Sequence, residues 1–291
     1  MNELIKAHLD HPRLWRDFDY CYPVISRRAK GLSLGVNLNP DRVCNFNCVY
    51  CEVDRVNPPQ RKDVDLDQLE REMAYLLDLA ASGEIFRIPP FDGARIEQRR
   101  INDIAFSGDG EPTTAPTFAE CVTRLARLKS ERSLDEVKLV LITNATQLQA
   151  PKVVEGLEHL MVNHGEIWAK LDAGSEAHYR AVNRSQVSFG RILENLAATA
   201  RRWPITIQTL LLEWNGSAMG PGELEAYIGH LRAIREAGGQ LQRIQLYTVA
   251  RATPEPAARP LAASRLDAFA EQVRAALPDV SVESYYGPEG L

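Results

Sequence analysis

Apolar, β-branched runs alternate with amphipathic stretches along nearly the whole chain. The apolar runs predict strands at residues 33–38, 103–106, 138–143, 167–171, 205–211, 243–247 and 280–284. Apolar residues at helical spacing predict helices between them, at 66–81, 117–129, 152–162, 190–202, 223–236 and 266–276. Strict alternation of this kind is typical of a parallel sheet covered by helices, built from right-handed β-α-β units.

The number of units, about six, favours a partial barrel over an open doubly wound sheet. We therefore predict an α/β fold, a partial (β/α)6-type TIM barrel with outer helices. Residues 1–32 precede the first predicted strand and are expected to form a short N-terminal cap, and residues 33–287 form the barrel core. No internal repeat or linker divides the chain, so residues 1–291 are predicted to be a single domain.

Composition narrows the class of protein. A hydrophobic content of 45% and a charged content of 25% are ordinary for a soluble globular protein. No apolar run approaches the ~20 residues that span a bilayer, and the N-terminus lacks the layout of a secretory signal. We expect a cytoplasmic protein without membrane contact. The net charge of −5 argues against a strongly basic nucleic-acid-binding footprint over the whole surface. A local patch stays open, with the clusters at residues 27–30 (Arg27, Arg28) and 99–100 as candidates, although such clusters are interpreted first as solvated surface.

Polar loops follow the predicted strands. They comprise residues 44–51, 107–113, 143–146, 172–174 and 247–251. In parallel barrels the chemistry gathers at the carboxyl ends of the strands, on the βα loops. The functional residues of this chain are therefore expected on that rim.

The most specific of these loops carries Cys44, Cys48 and Cys51 in a Cys-x3-Cys-x2-Cys arrangement. Three thiolates at this spacing can hold three irons of a [4Fe–4S] cluster and leave the fourth iron open to a ligand. A structural zinc site usually takes four ligands, and neither a second cysteine pair nor a nearby histidine is present. The remaining cysteines, Cys21 and Cys121, are isolated and are interpreted as core thiols.

Two charged residues, Lys170 and Asp172, are candidate catalytic residues. They lie two positions apart and so share one face of a predicted strand. If that face is the barrel interior, burying both charges requires partners or a ligand. The alternative is an ion pair at the surface. Gln208 on the next strand allows a similar argument, and Tyr247 with Arg251 could form a polar wall or a clamp for an anionic substrate.

Taken together, the cysteine loop, with Tyr50 immediately before its third cysteine, and the Gly-Asp-Gly-Glu segment at 108–111 resemble the radical S-adenosylmethionine (SAM) superfamily. The resemblance implies that SAM chelates the open iron. Reductive cleavage of SAM would then yield methionine and a 5′-deoxyadenosyl radical, which takes a hydrogen atom from a substrate.

Segments 106–113, 142–144 and 170–184 narrow the resemblance to the wyosine-synthase-related branch of iron–sulfur oxidoreductases, including uncharacterised bacterial members. The similarity extends over roughly residues 20–287. Characterised wyosine enzymes build a tricyclic base on tRNA and carry a second, N-terminal cysteine-bound cluster. In this chain Cys21 alone lies upstream of the cysteine loop.

The resemblance also implies a set of SAM contacts. The Glu111 carboxylate would bind the methionyl ammonium, and Tyr50 would lie near the adenine. Thr143 and Asn144 would bond the ribose hydroxyls or the methionyl carboxylate. The set is completed by Gly108, Asp109, Gly110, Asp172, Gln208 and Tyr247. An electron donor such as flavodoxin or ferredoxin is implied as a partner.

The leading hypothesis is a radical SAM enzyme with one [4Fe–4S] cluster and an unidentified substrate. A radical SAM enzyme of the wyosine type acting on tRNA or another RNA is the first alternative. A non-catalytic iron–sulfur electron carrier and a zinc-binding structural module are the others. Whether the substrate is a small molecule or an RNA stays open at the level of sequence.

Overall fold

A computed structural model describes residues 15–57, 59 and 61–287. Its main sheet has eight strands in the order β1-β2-β3-β4-β5-β6-β9-β11, all parallel except β1. These strands are β1 (Cys21–Ser26), β2 (Gly31–Val36), β3 (Ile101–Phe106), β4 (Lys138–Thr143), β5 (Gly165–Lys170), β6 (Ile205–Leu210), β9 (Leu241–Tyr247) and β11 (Ser281–Tyr285). A second, three-stranded sheet contains β7 (Leu212–Trp214), β8 (Ser217–Ala218) and β10 (Ala258–Pro260).

Helices connect the parallel strands. In the described part of the chain they are α1 (Leu66–Ala81), α2 (Phe118–Ser130), α3 (Pro151–Val162), α4 (Glu176–Val182), α5 (Phe189–Arg202), α6 (Pro221–Glu236) and α7 (Ala263–Ala276). Their starts follow local chemistry. The side chains of Asp65, Ser175 and Ser188 accept hydrogen bonds from the first turns of α1, α4 and α5. Pro151 and Pro221 occupy the first positions of α3 and α6, where a missing N–H costs nothing.

The curled parallel sheet with outer helices confirms the predicted partial barrel. Each predicted strand lies within two residues of an observed one at both ends. The agreement has a physical cause, because strands buried on both faces read as nearly continuous apolar runs. Strand β1, the short helix α4 and the small second sheet were not predicted from the sequence.

The predicted cap at residues 1–32 is partly a strand of the sheet. Its residues 1–14 lie outside the described residues, but Cys21–Ser26 forms β1, antiparallel to β2. The turn at residues 27–30 enters the barrel, where Ala29 packs against Ala105, Val140 and Trp168. The Lys30 ammonium lies 2.9 Å from Glu283 on β11, so the turn also joins the two ends of the sheet.

Within the described residues, no helix is both long enough and apolar enough to cross a membrane.

Candidate active site

A cavity of about 290 Å³ opens among the carboxyl-end loops of the barrel. Small-molecule sites typically occupy ~300–1,000 Å³, so the cavity is at the lower end of that range. All of the predicted site residues line it except Asp172. They are Cys44, Cys48, Tyr50, Cys51, Gly108, Asp109, Gly110, Glu111, Thr143, Asn144, Lys170, Gln208 and Tyr247.

The three cysteines of the loop after β2 are free and partly buried. Each sulfur accepts a hydrogen bond: Cys44 from Phe46 N (3.4 Å) and Asn144 Nδ2 (3.9 Å), Cys48 from Asn183 Nδ2 (3.5 Å), and Cys51 from Arg55 Nη2 (3.6 Å). Hydrogen bonds to the sulfurs are one of the means by which proteins tune an iron–sulfur cluster. Burial raises the pKa of Cys44, and that of Cys48 to about 11, so both thiolates need nearby positive charge of the kind iron supplies.

Among the described residues, no three His, Cys, Asp or Glu side chains are arranged to hold one metal ion together. A cubane cluster does not require that arrangement, because each thiolate binds a different iron. The donor set, three thiols on one loop beside a cavity, therefore fits a [4Fe–4S] cluster with one open iron better than it fits zinc.

Helix α4 fixes the backbone of the cysteine loop. The amide of Asn47 donates to the carbonyl of Asn183 (3.1 Å), and the amide of Val49 donates to that of Val182 (2.9 Å). The loop is consequently held from the side as well as at its ends.

The loop after β3 lies directly against the cysteine loop. A Cβ added to Gly110 would lie 2.3 Å from the carbonyl oxygen of Val43 and 2.6 Å from Cβ of Asn39. Gly108 meets the side chain of Asn37 in the same way, at 2.5 Å. The glycines therefore permit close contact between two protein loops, in addition to the ligand approach expected from the sequence.

Glu111 connects two of the loops that line the cavity. Its carboxylate accepts hydrogen bonds from both the amide and the hydroxyl of Thr113, from the Thr143 hydroxyl (2.6 Å) and from the Asn144 amide (2.6 Å). Three of these donors share Oε1 and the Asn144 backbone amide bonds Oε2, so Oε2 keeps a lone pair. Burial raises the pKa of Glu111, and these hydrogen bonds offset the rise only in part. In this geometry the carboxylate positions the Thr143-Asn144 segment.

Lys170 and Asp172 meet at the ring of Tyr50, the aromatic residue of the cysteine loop. The Lys170 ammonium donates to the Tyr50 hydroxyl (2.9 Å), which in turn donates to Asp172. Asp172 also accepts from the Leu210 amide (2.8 Å) and from Asn183 Nδ2 (2.9 Å). It was expected to reach SAM or substrate directly, but it lies behind Tyr50 and only 3% of its surface is exposed.

The charge on Lys170 is stabilised where it stands. Burial alone would lower the pKa of Lys170, but the Tyr247 hydroxyl and Asp172 outweigh it and raise that pKa above its ordinary value. The ammonium also lies over two aromatic rings, 4.5 Å from the centroid of Tyr50 and 5.9 Å from that of Tyr247. Lys170 is therefore a cation that faces the cavity.

A pair of buried amides completes the wall on β6 and β9. Gln208 Nε2 donates to Gln245 Oε1 (2.8 Å), and both side chains are fully buried. Gln208 Oε1 and Gln245 Nε2 have no protein partner among the described residues. Buried polar atoms without partners are uncommon in folded proteins and often mark a site for water or ligand.

Several residues of the site were not predicted. Asn183 contacts Cys48, Tyr50 and Asp172. In the sequence it belongs to the segment 170–184 that carries the resemblance, but no role in the site was predicted for it. Arg27 and Arg28 line the cavity, which corrects their interpretation as solvated surface. Two adjacent arginines just before an apolar strand are visible in the sequence. The hairpin that turns them into the cavity was not predicted, so their place in the site was missed.

No family model matches the sequence. The chain is similar to a UPF0026 protein of Methanocaldococcus jannaschii, 28% identical over 60% of this chain and 48% of that protein. It is also similar to a UPF0026 protein of Helicobacter pylori J99, 23% identical over 79% of this chain and 65% of that protein. The chain thus matches about half to two thirds of the length of these relatives.

Among solved structures, the chain is similar to TYW1, a wyosine synthase, in a structure with a lysine–pyruvate adduct bound. The TM-score is 0.52 and the sequence identity 15%, over 85% of this chain and 74% of that one. The shared fold confirms the partial barrel. The likeness to TYW1 concerns the fold, and the sequence relatives are named only as UPF0026 proteins.

Proposed function

We propose that this protein is a radical SAM enzyme, which binds one [4Fe–4S] cluster and SAM and acts on a small-molecule substrate. The observation that carries the proposal is the cavity itself. Three free thiols on one loop, the glycine-rich loop after β3 and the Thr143-Asn144 segment all border the same space. An electron carrier needs no cavity beside its cluster, so this arrangement favours catalysis.

Cys44, Cys48 and Cys51 would hold the cluster. When bound, it supplies one electron that breaks a C–S bond of SAM, giving methionine and a 5′-deoxyadenosyl radical that takes a hydrogen atom from the substrate. The backbone of residues 108–110 offers polar groups to SAM at the rim, and Asn144 bonds Asn45 of the cysteine loop at 2.7 Å. Glu111 keeps this rim in register by bonding Thr143 and the Asn144 amide.

Lys170 does not fit the chemistry of a covalent adduct. The TYW1 structure holds a lysine–pyruvate adduct, and an adduct of that kind forms from an uncharged amine. The Lys170 nitrogen donates to the Tyr50 hydroxyl and lies over the Tyr50 ring, and its pKa is raised, so its surroundings favour the charged amine. We therefore assign Lys170 an electrostatic role and do not transfer the adduct to it.

The electron must come from outside the chain. The three cysteines of the loop account for one cluster, and Cys21 and Cys121 are buried single thiols in the core. We expect a one-electron donor such as a flavodoxin or ferredoxin. We also expect a cytoplasmic setting, because the reducing cytosol keeps thiols free.

The proposal is tested by anaerobic reconstitution with iron and sulfide. About four irons per chain are expected, together with slow release of 5′-deoxyadenosine from SAM after reduction by dithionite. Replacing Cys44, Cys48 and Cys51 together by alanine should abolish both. The paired replacement of Cys21 and Cys121 by serine is the control for iron binding.

Zinc in the purified protein, or a full iron complement in the triple variant, would contradict the assignment of the cluster. A reconstituted protein that binds iron but never cleaves SAM would instead identify an electron carrier.

A further inference from the structure

The hairpin of β1 and β2 brings two arginines into the cavity. The turn at residues 27–30 precedes β2 and the cysteine loop follows it, so the two segments lie at opposite ends of one strand. Both nevertheless line the same cavity, to which the turn contributes Arg27 and Arg28. Ala29 anchors the turn in the barrel interior against Trp168.

In the described part of the chain, the two arginines and Lys170 are not bonded directly to a protein carboxylate, and Lys170 reaches Asp172 only through the Tyr50 hydroxyl. Among the described residues, no carboxylate lies within ion-pairing distance of Arg27, Arg28 or Lys170. Arg28 lies over the Tyr247 ring, with its guanidinium carbon 4.7 Å from the centroid, and Lys170 lies 5.9 Å from the same centroid. Two cations thus share one aromatic ring.

One acidic residue of the cavity wall already has a cationic partner. Glu52 is paired with Arg251 at 2.6 Å. Burial, together with repulsion from Arg28 and Arg251, lowers the pKa of Arg27 to about 10. Clustered, partly buried cations of this kind are stabilised when an anion binds between them.

We propose that Arg27, Arg28 and Lys170 form an anion-binding subsite, and that the substrate carries a carboxylate or phosphate group that binds there. This inference rests on the proposed function, because it places the anion at one end of a substrate whose other end faces the SAM-binding rim. Gln208 adds a hydrogen-bond acceptor without a protein partner, which suits a hydroxyl or amino group on the same molecule.

A small molecule fits these observations better than RNA. The chain has a net charge of −5. Phosphate backbones are usually bound by a broad basic surface of many lysines and arginines. Arg27, Arg28 and Lys170, three of the five cations that line the cavity, instead match a single anionic group, which arginine can bind through its planar fork.

The subsite is tested by calorimetric titration of the anaerobic, cluster-loaded protein in the presence of SAM. The probes are inorganic phosphate in one arm and succinate in the other. Saturable binding with a Kd in the millimolar range or tighter is expected for at least one of them. The anion that binds more tightly identifies the chemistry of the group.

Two variants separate the subsite from general effects of charge. Arg28→Gln should weaken the tighter anion about tenfold or more, since it removes a charge-assisted contact. Lys30→Gln changes the same turn but removes only an exposed cation paired with Glu283, so the Kd should not change. If Arg28→Gln does not fold, Arg28→Lys should show a smaller loss of affinity, because it keeps the charge without the fork.

Failure of saturable binding by both probes, or an equal loss in Lys30→Gln and Arg28→Gln, would overturn the subsite. Salt-dependent RNA binding that Arg28→Gln abolishes, with no competition from either anion, would replace it by an RNA contact. These titrations measure anion binding and do not require catalytic turnover. A parent protein that binds the anion but does not cleave SAM would refute the proposed function and leave the subsite standing.

Discussion

Side chains that the family resemblance assigns to SAM also hold the protein together. Glu111 is the clearest case, because all four of its hydrogen bonds come from the chain itself. Asp172 is another, since its carboxylate accepts hydrogen bonds from Tyr50, Asn183 and the Leu210 backbone amide. At this scale a residue can matter to cofactor binding by positioning others as well as by direct contact.

Replacing Glu111 by glutamine should weaken SAM binding about tenfold or more and leave iron content unchanged. A glutamine keeps the shape of the side chain but places an NH₂ group against a donor, and a hydrogen bond to a charged group is worth roughly 1.5–3 kcal/mol. Equilibrium binding of SAM to the reconstituted variant is the measurement. Glu120→Gln, an exposed change on α2, is the matched control; unaltered SAM affinity in Glu111→Gln would remove the carboxylate from the site.

Replacing Lys170 by alanine should lower both stability and 5′-deoxyadenosine production. The side chain is partly exposed to the cavity, so the expected loss of unfolding free energy is about 1–2 kcal/mol, the sum of one hydrogen bond and its cation–π contacts. Thermal melts and a 5′-deoxyadenosine assay measure the two effects. Lys152 is exposed on α3, so Lys152→Ala should change neither the stability nor the production of 5′-deoxyadenosine. If Lys170→Ala gave the same two values as Lys152→Ala, Lys170 would have no part in the chemistry.

At the scale of elements, the site is built where short segments contact one another closely. The cysteine loop is held by α4 on one side and by the loop after β3 on the other. The β1–β2 hairpin is a third segment of the site, and it turns two arginines into the cavity. Each of these contacts depends on backbone geometry that a larger or differently placed residue would disturb.

Gly110 tests that dependence. Gly110→Ala places a Cβ 2.3 Å from the carbonyl oxygen of Val43, so the cysteine loop must shift. Overpacking of this kind typically costs about 1–3 kcal/mol. We expect a lower melting temperature and fewer irons per chain after reconstitution. At Gly229, exposed on α6, an added Cβ meets nothing within 4 Å, so Gly229→Ala should keep the iron content and raise the melting temperature slightly, because alanine suits a helix better than glycine. Equal results for the two variants would show that the loops can separate freely.

At the scale of the whole molecule, a cluster of paired polar groups lies on the inner face of the barrel, away from the cysteine loop. Glu166 on β5 accepts from Lys138 (2.6 Å), from the Trp168 indole (2.8 Å) and from Arg243 (3.4 Å), so it links strands β4, β5 and β9. Burial alone would raise the pKa of Glu166, but these donors outweigh it and lower that pKa. This ionised group therefore stabilises the barrel.

Glu166→Gln should reduce the free energy of unfolding by about 1.5–3 kcal/mol at pH 7, because it removes hydrogen bonds to a charged group. A carboxyl with a lowered folded-state pKa contributes stability above its unfolded pKa of about 4.3 and loses it as the pH falls through the folded pKa. The difference between parent and variant should accordingly narrow in acid.

Urea melts of both proteins across that pH range measure this difference. Glu158→Gln, an exposed change on α3, should stay within about 0.5 kcal/mol of the parent at every pH. A difference for Glu166→Gln that does not vary with pH would show that the carboxylate is not ionised in the folded protein.

The sequence by itself determined the barrel and its rim. Buried parallel strands read as apolar runs and their helices as amphipathic stretches, so both elements and their order were visible locally. The three cysteines were equally visible, because their spacing on one loop is a local property. The polar loops after the strands could be placed on one rim because parallel strands present their carboxyl ends together.

Only the tertiary structure decided which side chains meet. Asp172 and Tyr50 are 122 positions apart in the chain, and no local pattern indicates that the phenol covers the carboxylate. Arg27 and Arg28 look like solvated surface until β1 pairs with β2 and turns them inward. Contacts between distant segments depend on how the loops pack after the sheet has closed, and hydrophobic periodicity carries no record of that packing.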